Sequence, residues 1–193
     1  MDYITTKYGC RICPLDTERK EIDPLLENIA NNTYLGISNL VEGALHLQDY
    51  HKEYLSRDWW SPTAVYNEFL QARYSAPRQC GSTTGTLACA YKYKKLGFKV
   101  HYIVPKINMK ESLRHLYPEL YDDMRVVPSD YMMSRLFPIG TDDNFDTIIF
   151  HDTYNVFENS SNANIRDIYK SEVISKIARI RLHGKKALHV KIQ

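Results

Sequence analysis

Between Ala72 and Gln193, short apolar runs alternate with stretches of helical periodicity, and that alternation leaves few folds open. Ala72 to Ala76 reads as a short strand running into a loop at Gly81, and Thr83 to Leu96 as a helix closed by Gly97. Phe98 to Val104 is a strand stopped by Pro105. Short helical pieces are expected at Lys110 to Tyr117 and Ser129 to Phe137, with a strand at Arg125 to Val127 between them. Phe145 to Phe150 is a strongly apolar strand. Ile165 to His183 reads as a long helix capped by Gly184, and Ala187 to Ile192 as a last strand. Strands separated by helices imply a parallel sheet covered on both faces, a three-layer α/β sandwich. Upstream, from about Thr33 to Tyr54, the apolar residues Leu35, Ile37, Leu40, Val41, Ala44, Leu45 and Leu47 recur at helical spacing and predict a helix. Ser61-Pro62 then gives an N-cap followed by proline at the first helical position, opening a helix to about Gln71. The expected division is a partly helical N-terminal extension over 1–60 and an α/β domain over 61–193.

The junction of the first strand and its helix is where chemistry is expected. A strand, a tight loop and a helix gather backbone N–H groups and the positive end of a helix dipole at one spot, which suits phosphate. The P-loop consensus is Gly or Ala, four residues, Gly, Lys, then Ser or Thr. Ala76 supplies the first position, Gly81 the second and Thr83 the magnesium-coordinating hydroxyl, whereas Ser82 stands where the lysine belongs. The competing reading is a plain helix start, since Ser82, Thr83 and Thr84 are all good capping residues.

The run Pro77-Arg78-Gln79-Cys80-Gly81-Ser82-Thr83-Thr84 resembles the P-R-Q-x-G-K-T-T form of the large terminase ATPases of tailed phages and related helicase-like motors. Val100 to Lys106 resembles their second strand, and Asn144 to Asp152 their Walker B strand, which normally ends in Asp-Glu. In one register His151 takes the place of the magnesium-binding aspartate and Asp152 that of the catalytic glutamate. Shifted by one, Asp152 becomes the metal-side carboxylate. The last strand would match the one after Walker B. The resemblance implies a P-loop NTPase-like domain that takes ATP or another nucleotide with Mg²⁺. Ala76, Arg78, Gln79, Gly81, Ser82, Thr83 and Thr84 would surround the phosphates, Thr83 and Asp152 the metal, and Asp152 would be the catalytic candidate. Both departures remove charge from the site: serine brings none, and histidine is a poor ligand for a cation that prefers hard oxygens. A degenerate nucleotide site with weak or no hydrolysis follows, in a phage-encoded accessory protein that binds a nucleotide, a nucleic acid or a protein partner. Two alternatives stand beside it. One is an active atypical NTPase or nucleotide-modifying enzyme in which Arg78, or another basic residue, replaces the lysine. The other is an α/β interaction module with no nucleotide site.

Composition narrows the partners. The net charge of +2 over 193 residues argues against binding a polyanion by bulk charge alone. No apolar run approaches the roughly 20 residues of a membrane span, and the N-terminus lacks a signal-peptide core, so a cytoplasmic location, the host's if phage-encoded, is expected. Cys10 and Cys13 have the spacing of half a zinc knuckle with no second pair after them, and free thiols are the simpler reading. The 15 tyrosines suit core edges more readily than stacking platforms. Lys170, Lys176, Arg179, Arg181, Lys185 and Lys186 crowd the C-terminal helix and its exit, either as a solvated face or as a nucleic-acid backbone contact. The seven histidines share no short spacing.

Overall fold

The structure is a computed structural model, and it describes residues 4–5, 11–12, 24–55, 61–75, 82–114, 117–126, 143–152, 154 and 163–193. The chain begins with a two-stranded antiparallel ribbon, β1 (Ile4–Thr5) and β2 (Arg11–Ile12), in which Ile4 lies opposite Ile12. Helices α1 (Pro24–Tyr50), α2 (Lys52–Leu55) and α3 (Pro62–Phe69) follow. The rest alternates: β3 (Gln71–Tyr74), α4 (Ser82–Lys95), β4 (Lys99–Val104), α5 (Ile107–Leu113) and a 3₁₀ turn at Pro118–Asp123. Then come β5 (Met124–Val126), β6 (Thr147–His151), α6 (Ala163–Leu182) and β7 (Ala187–Ile192).

Five of these strands form one parallel sheet in the order β3-β7-β6-β4-β5. Side chains alternate between its faces. Tyr102, Ile148, Phe150, Leu188 and Val190 join Ile37, Val41, Leu87 and Cys89 in the core beneath α1 and α4. Ile103, Ile149 and Ala187 join Val65, Leu70, Val173, Ile177 and Ile180 beneath α3 and α6. Helices on both faces make the expected three-layer α/β sandwich.

Local signals act where the sequence places them. The Ser61 side chain accepts from the Ala64 N–H at 3.1 Å, and Pro62 opens α3. Gly97 and Gly184, at φ 91° and 69°, close α4 and α6 in the left-handed region that glycine enters without strain. Helix α1 differs from expectation in two respects. It starts at Pro24, well before Thr33, with a proline whose fixed φ suits the first helical turn. It is also a layer of the sandwich rather than part of an extension. Ile37 and Val41 are fully buried in the core shared with the sheet, and a large aliphatic side chain so placed contributes about 1.5–3 kcal/mol. Ribbon strand β2 also lies against α4. The helical piece expected at Ser129 to Phe137, like Cys10 and Cys13, falls outside the described residues.

Helices α1 and α4 approach each other closely. A Cβ on Gly85 would lie 2.9 Å from both the Thr33 Cγ2 and the Tyr34 backbone nitrogen. Farther along, the Lys92 Nζ donates to the Ser38 Oγ at 2.7 Å and to the Glu42 Oε1 at 2.6 Å. Residue numbers rise together on the two helices, so α1 and α4 run parallel. Gly85→Ala adds a strong helix former but forces a methyl group against backbone. The steric term is larger, so the variant is expected to be less stable by about 1–3 kcal/mol, read from the midpoint of urea denaturation. An unchanged or raised midpoint would mean that the helices do not meet this closely.

Candidate functional site

A parallel sheet sends every strand's carboxyl end to one edge, and ligands of such sheets settle where successive connections diverge. Here that point lies between β4 and β6. The chain leaving β4 turns outward to β5, whereas the chain leaving β6 turns the other way to β7. Asp152 stands there, one residue beyond β6. Its N–H donates to the Ile103 carbonyl at 2.9 Å, and its Oδ2 accepts from the Tyr102 hydroxyl at 2.9 Å. Both side chains are fully buried or nearly so. Burial, followed by the neighbouring carboxylate, holds the Tyr102 phenol well above its ordinary pKa, so it remains a donor to Asp152.

Alternation separates Asp152 from its neighbour. Tyr102 belongs to the core under α1 and α4, so the Asp152 carboxylate lies on the side of α4. His151 pairs in register with Ile103 and Lys191 and faces the α3 and α6 layer. Of the two residues aligned with the end of a Walker B strand, only Asp152 shares a side with the helix that starts at Ser82. That helix crosses from β3 to β4, which is parallel to it, so its first turn also sits at the carboxyl edge. Ser82, Thr83 and Thr84 occupy this turn, half-buried, and the Thr86 hydroxyl donates to the Ser82 carbonyl at 2.6 Å. Lys92, Lys94 and Lys95 in the last turn complement the opposite end of the helix dipole. Strands β3 and β6 are separated by β7 alone, so their ends are about 10 Å apart. Ala76, Arg78, Gln79 and Gly81 lie outside the described residues.

Sequence spacing did not reveal what the other face holds. His189 and His151 stack at 5.9 Å between ring centroids, and Tyr154 meets both rings edge-on. The Tyr66 hydroxyl lies 2.6 Å from His189 Nδ1. Burial keeps that phenol protonated, so it donates and leaves the imidazole proton on Nε2. Lys191, also buried, donates to the Gln71 side-chain carbonyl at 2.5 Å and lies over the rings of Tyr154 and Tyr66 at 4.8 and 5.5 Å. Arg73 lies over Tyr154 from β3. The signal was positional parity: His101, His151, His189 and Lys191 all fall on alternate strand positions that the register places on one face. Only the strand order shows that these positions are neighbours.

The basic C-terminal helix is largely committed to internal contacts. Lys176 is buried and pairs with Asp143 at 2.5 Å, and Arg179 reaches the other oxygen of Asp143 at 2.9 Å. Arg181 donates to the Leu55 carbonyl, and Lys186 pairs with Asp49. The density of charge that suggested a nucleic-acid contact is in good part a set of ties between α6 and its neighbours. Among the described residues no group of three or more His, Cys, Asp or Glu side chains is placed to hold a metal ion. No described helix is long and apolar enough to cross a membrane. Comparison of the chain with protein families, curated proteins and solved structures finds no match.

The buried histidines make stability pH-dependent. Burial, then the charges of Arg125, Lys176 and Lys99, lowers His101 from 6.5 to about 3. Burial, then Lys191, lowers His151 from 6.5 to about 3, and His189 is pushed down as well by burial, His151 and Lys191. A depressed imidazole is neutral in the fold, while the unfolded chain takes up its proton below about 6.5. Stability is therefore full above 6.5 and falls as pH drops from 6.5 towards 3, by about 1.4 kcal/mol per pH unit for each such histidine. Urea midpoints between pH 7 and 4 are expected to show this fall, and His101→Gln to lessen the slope by about one proton. A slope unchanged in that variant would contradict the buried, neutral state of His101.

Proposed function

We infer that this chain is a P-loop-like nucleotide-binding protein that takes the phosphates of ATP or a related nucleotide with Mg²⁺ and hydrolyses it weakly or not at all. The observation that carries this reading is the position of Asp152. It is a buried carboxylate at the divergence point of the sheet, on the same side as the helix whose first turn is Ser82-Thr83-Thr84. The donor chemistry fits a magnesium nucleotide. Thr83 offers a hydroxyl and Asp152 a carboxylate, both hard oxygens, and these two would hold the ion. When bound, Mg²⁺ neutralises phosphate charge. The chain's own part is to present the N–H groups of the α4 first turn, which no intrahelical carbonyl satisfies, and a helix dipole pointing at an anion.

Hydrolysis asks for more. Transfer of a phosphoryl group is accelerated mainly by preorganised positive charge and by a residue that orients the attacking water. Ser82 brings no charge. The residue before Asp152 is turned to the opposite face, and Asp152 is already tied to Tyr102. Lys191 and Arg73 lie at the carboxyl ends of β7 and β3, but on the α6 side and against tyrosine rings, not towards α4.

Calorimetric titration of the wild-type chain with ATP and ADP, with and without Mg²⁺, is expected to show saturable binding, with phosphate release at background. Ser82→Lys should tighten binding by about tenfold, the worth of one hydrogen bond to a charged group. Asp152→Asn should remove the Mg²⁺-dependent part of the affinity. Absence of binding by any nucleotide would sink the reading, and brisk turnover would replace it with an active enzyme.

A further inference from the structure

Six large apolar side chains are exposed among the described residues: Leu47, Tyr50, Leu96, Ile107, Phe145 and Leu182. Ile107 opens α5 directly after β4 and so lies at the carboxyl edge of the sheet. The other five gather at the opposite edge, where the strands begin. Leu96 lies in the turn from α4 into β4, Phe145 stands two residues before β6, and Leu182 ends α6 just ahead of β7. Leu47 and Tyr50 lie in the last turn of α1, which is tied to the same edge. The Gln48 Nε2 donates to the carbonyl of Ala187, the first residue of β7, at 2.9 Å, and Lys186 pairs with Asp49 at 2.7 Å. Strands β7, β6 and β4 are neighbours, about 5 Å apart, so the five side chains surround the starts of three adjacent strands. Single exposed apolar residues are ordinary on a protein surface, whereas a group of them at one end marks a contact surface. Tyr50 and Leu182 are 78% and 85% exposed.

Charge says what kind of partner fits. Acidic groups of this edge are engaged: Asp49 pairs with Lys186, Asp123 with Lys94, and the Asp146 Oδ1 accepts from the Lys186 N–H at 2.8 Å. Lys95 and Lys185, both exposed, add positive charge beyond these pairs. Cations suit the carboxyl ends of α4 and α6, but a helix dipole gives no reason for leucine, phenylalanine or tyrosine beside them. We propose that the amino edge of the sheet is a docking surface for a protein partner whose contact segment is acidic and amphipathic, carrying carboxylates beside apolar side chains. A second copy of this chain, packed on the same edge by a two-fold axis, would set these lysines against one another. A segment with carboxylates answers the lysines and covers the apolar side chains together. The surface lies at the other end of the strands from the first turn of α4, and it does not depend on the nucleotide reading.

The test is fluorescence anisotropy of the full chain with three labelled helical peptides of equal length. One is built of leucine and glutamate, one of leucine and lysine, and one keeps the glutamates with serine in place of leucine. Wild type is expected to bind the first about tenfold more tightly than either of the others, and less tightly as salt is raised. Leu96→Ser with Leu182→Ser should weaken that binding about tenfold, since both leucines lose burial in the complex. Lys95→Glu with Lys185→Glu should shift the preference towards the lysine peptide, and Ile107→Ser, at the other edge, should change nothing. Thermal denaturation of each variant confirms its fold, and Leu182→Ser alone decides if the double variant does not fold. Failure to bind any peptide, equal affinity for the acidic and basic ones, or wild-type binding by the leucine variants would overturn the proposal. A dimer of wild type in sedimentation that the leucine variants disperse would overturn it too, giving the edge to a second copy.

Discussion

Parallel pairing is the constraint on which everything else in this molecule depends. Parallel strands cannot be joined by tight hairpins, so each is followed by a crossover that must cover one face of the sheet. The chain leaving β3 crosses β7 and β6 to reach β4, and that route lays α4 across the middle of the sheet. The same pairing sends the ends of β3, β4, β6 and β7 to one edge. The end of β3 and a carboxylate after β6, more than seventy residues apart in the chain, are thereby held about two strand spacings apart. No local interaction between the two segments is needed to bring this about.

The second consequence is a sheet with two unlike faces. Under α1 and α4 the strands present Val100, Tyr102, Val104, Ile148, Phe150, Leu188 and Val190, a continuous apolar surface. Under α3 and α6 the alternate positions present His101, His151, His189 and Lys191 among Ile103, Ile149 and Ala187. Polar groups are costly to bury, and this face meets part of the cost by placing several of them together, with His101 held neutral. Tyr66 donates to His189, Gln71 accepts from Lys191, and the tyrosine rings take the lysine charge. Burial, with the lysine charge adding to it, keeps the imidazoles of His151 and His189 neutral. His151 and Asp152 are adjacent in sequence, yet alternation assigns one to this polar layer and the other to the side of α4. In the proposed reading only the second serves a ligand, and the histidine serves the fold.

Most of the architecture was legible because its signals are local. The last strand occupies the residues expected of it, Ala187 to Ile192, since a short apolar run directly after the Gly184 helix cap reads as a buried strand. Ser61-Pro62 and Gly97 work as read for the same reason. Helix α1 was placed late and outside the α/β body because Asn31, Asn32 and Thr33 interrupt the apolar pattern between Ile29 and Leu35. Thr33 is the side chain that meets Gly85 of α4, a close approach that periodicity does not register. The histidine layer and the tie from Asp143 to Lys176 join segments far apart in sequence, so nothing short of strand order and helix packing could have shown them. Of the proposed site, Ser82, Thr83 and Thr84 are singled out by the strand-loop-helix pattern and Asp152 by the resemblance of its strand to a Walker B strand, whereas the face on which Asp152 lies is shown only by the sheet.

Charge decides what such a site can do. A helix N-terminus carries about half a positive charge, spread over several N–H groups, against the full charge of a lysine. Hydrogen bonds from such groups and from a serine hold a polyphosphate in its ground state as well as in any other, because none strengthens much as charge moves to the leaving oxygen. Binding that favours both states alike gives affinity without rate. In the proposed reading the replacement of the P-loop lysine by Ser82 and the turning of His151 to the far face act in the same direction. They leave the fold and its anion site intact and take away the groups whose worth is realised only in the transition state. Restoring the lysine alone would then return affinity ahead of turnover, because the position preceding Asp152 would still point into the other layer of the sandwich.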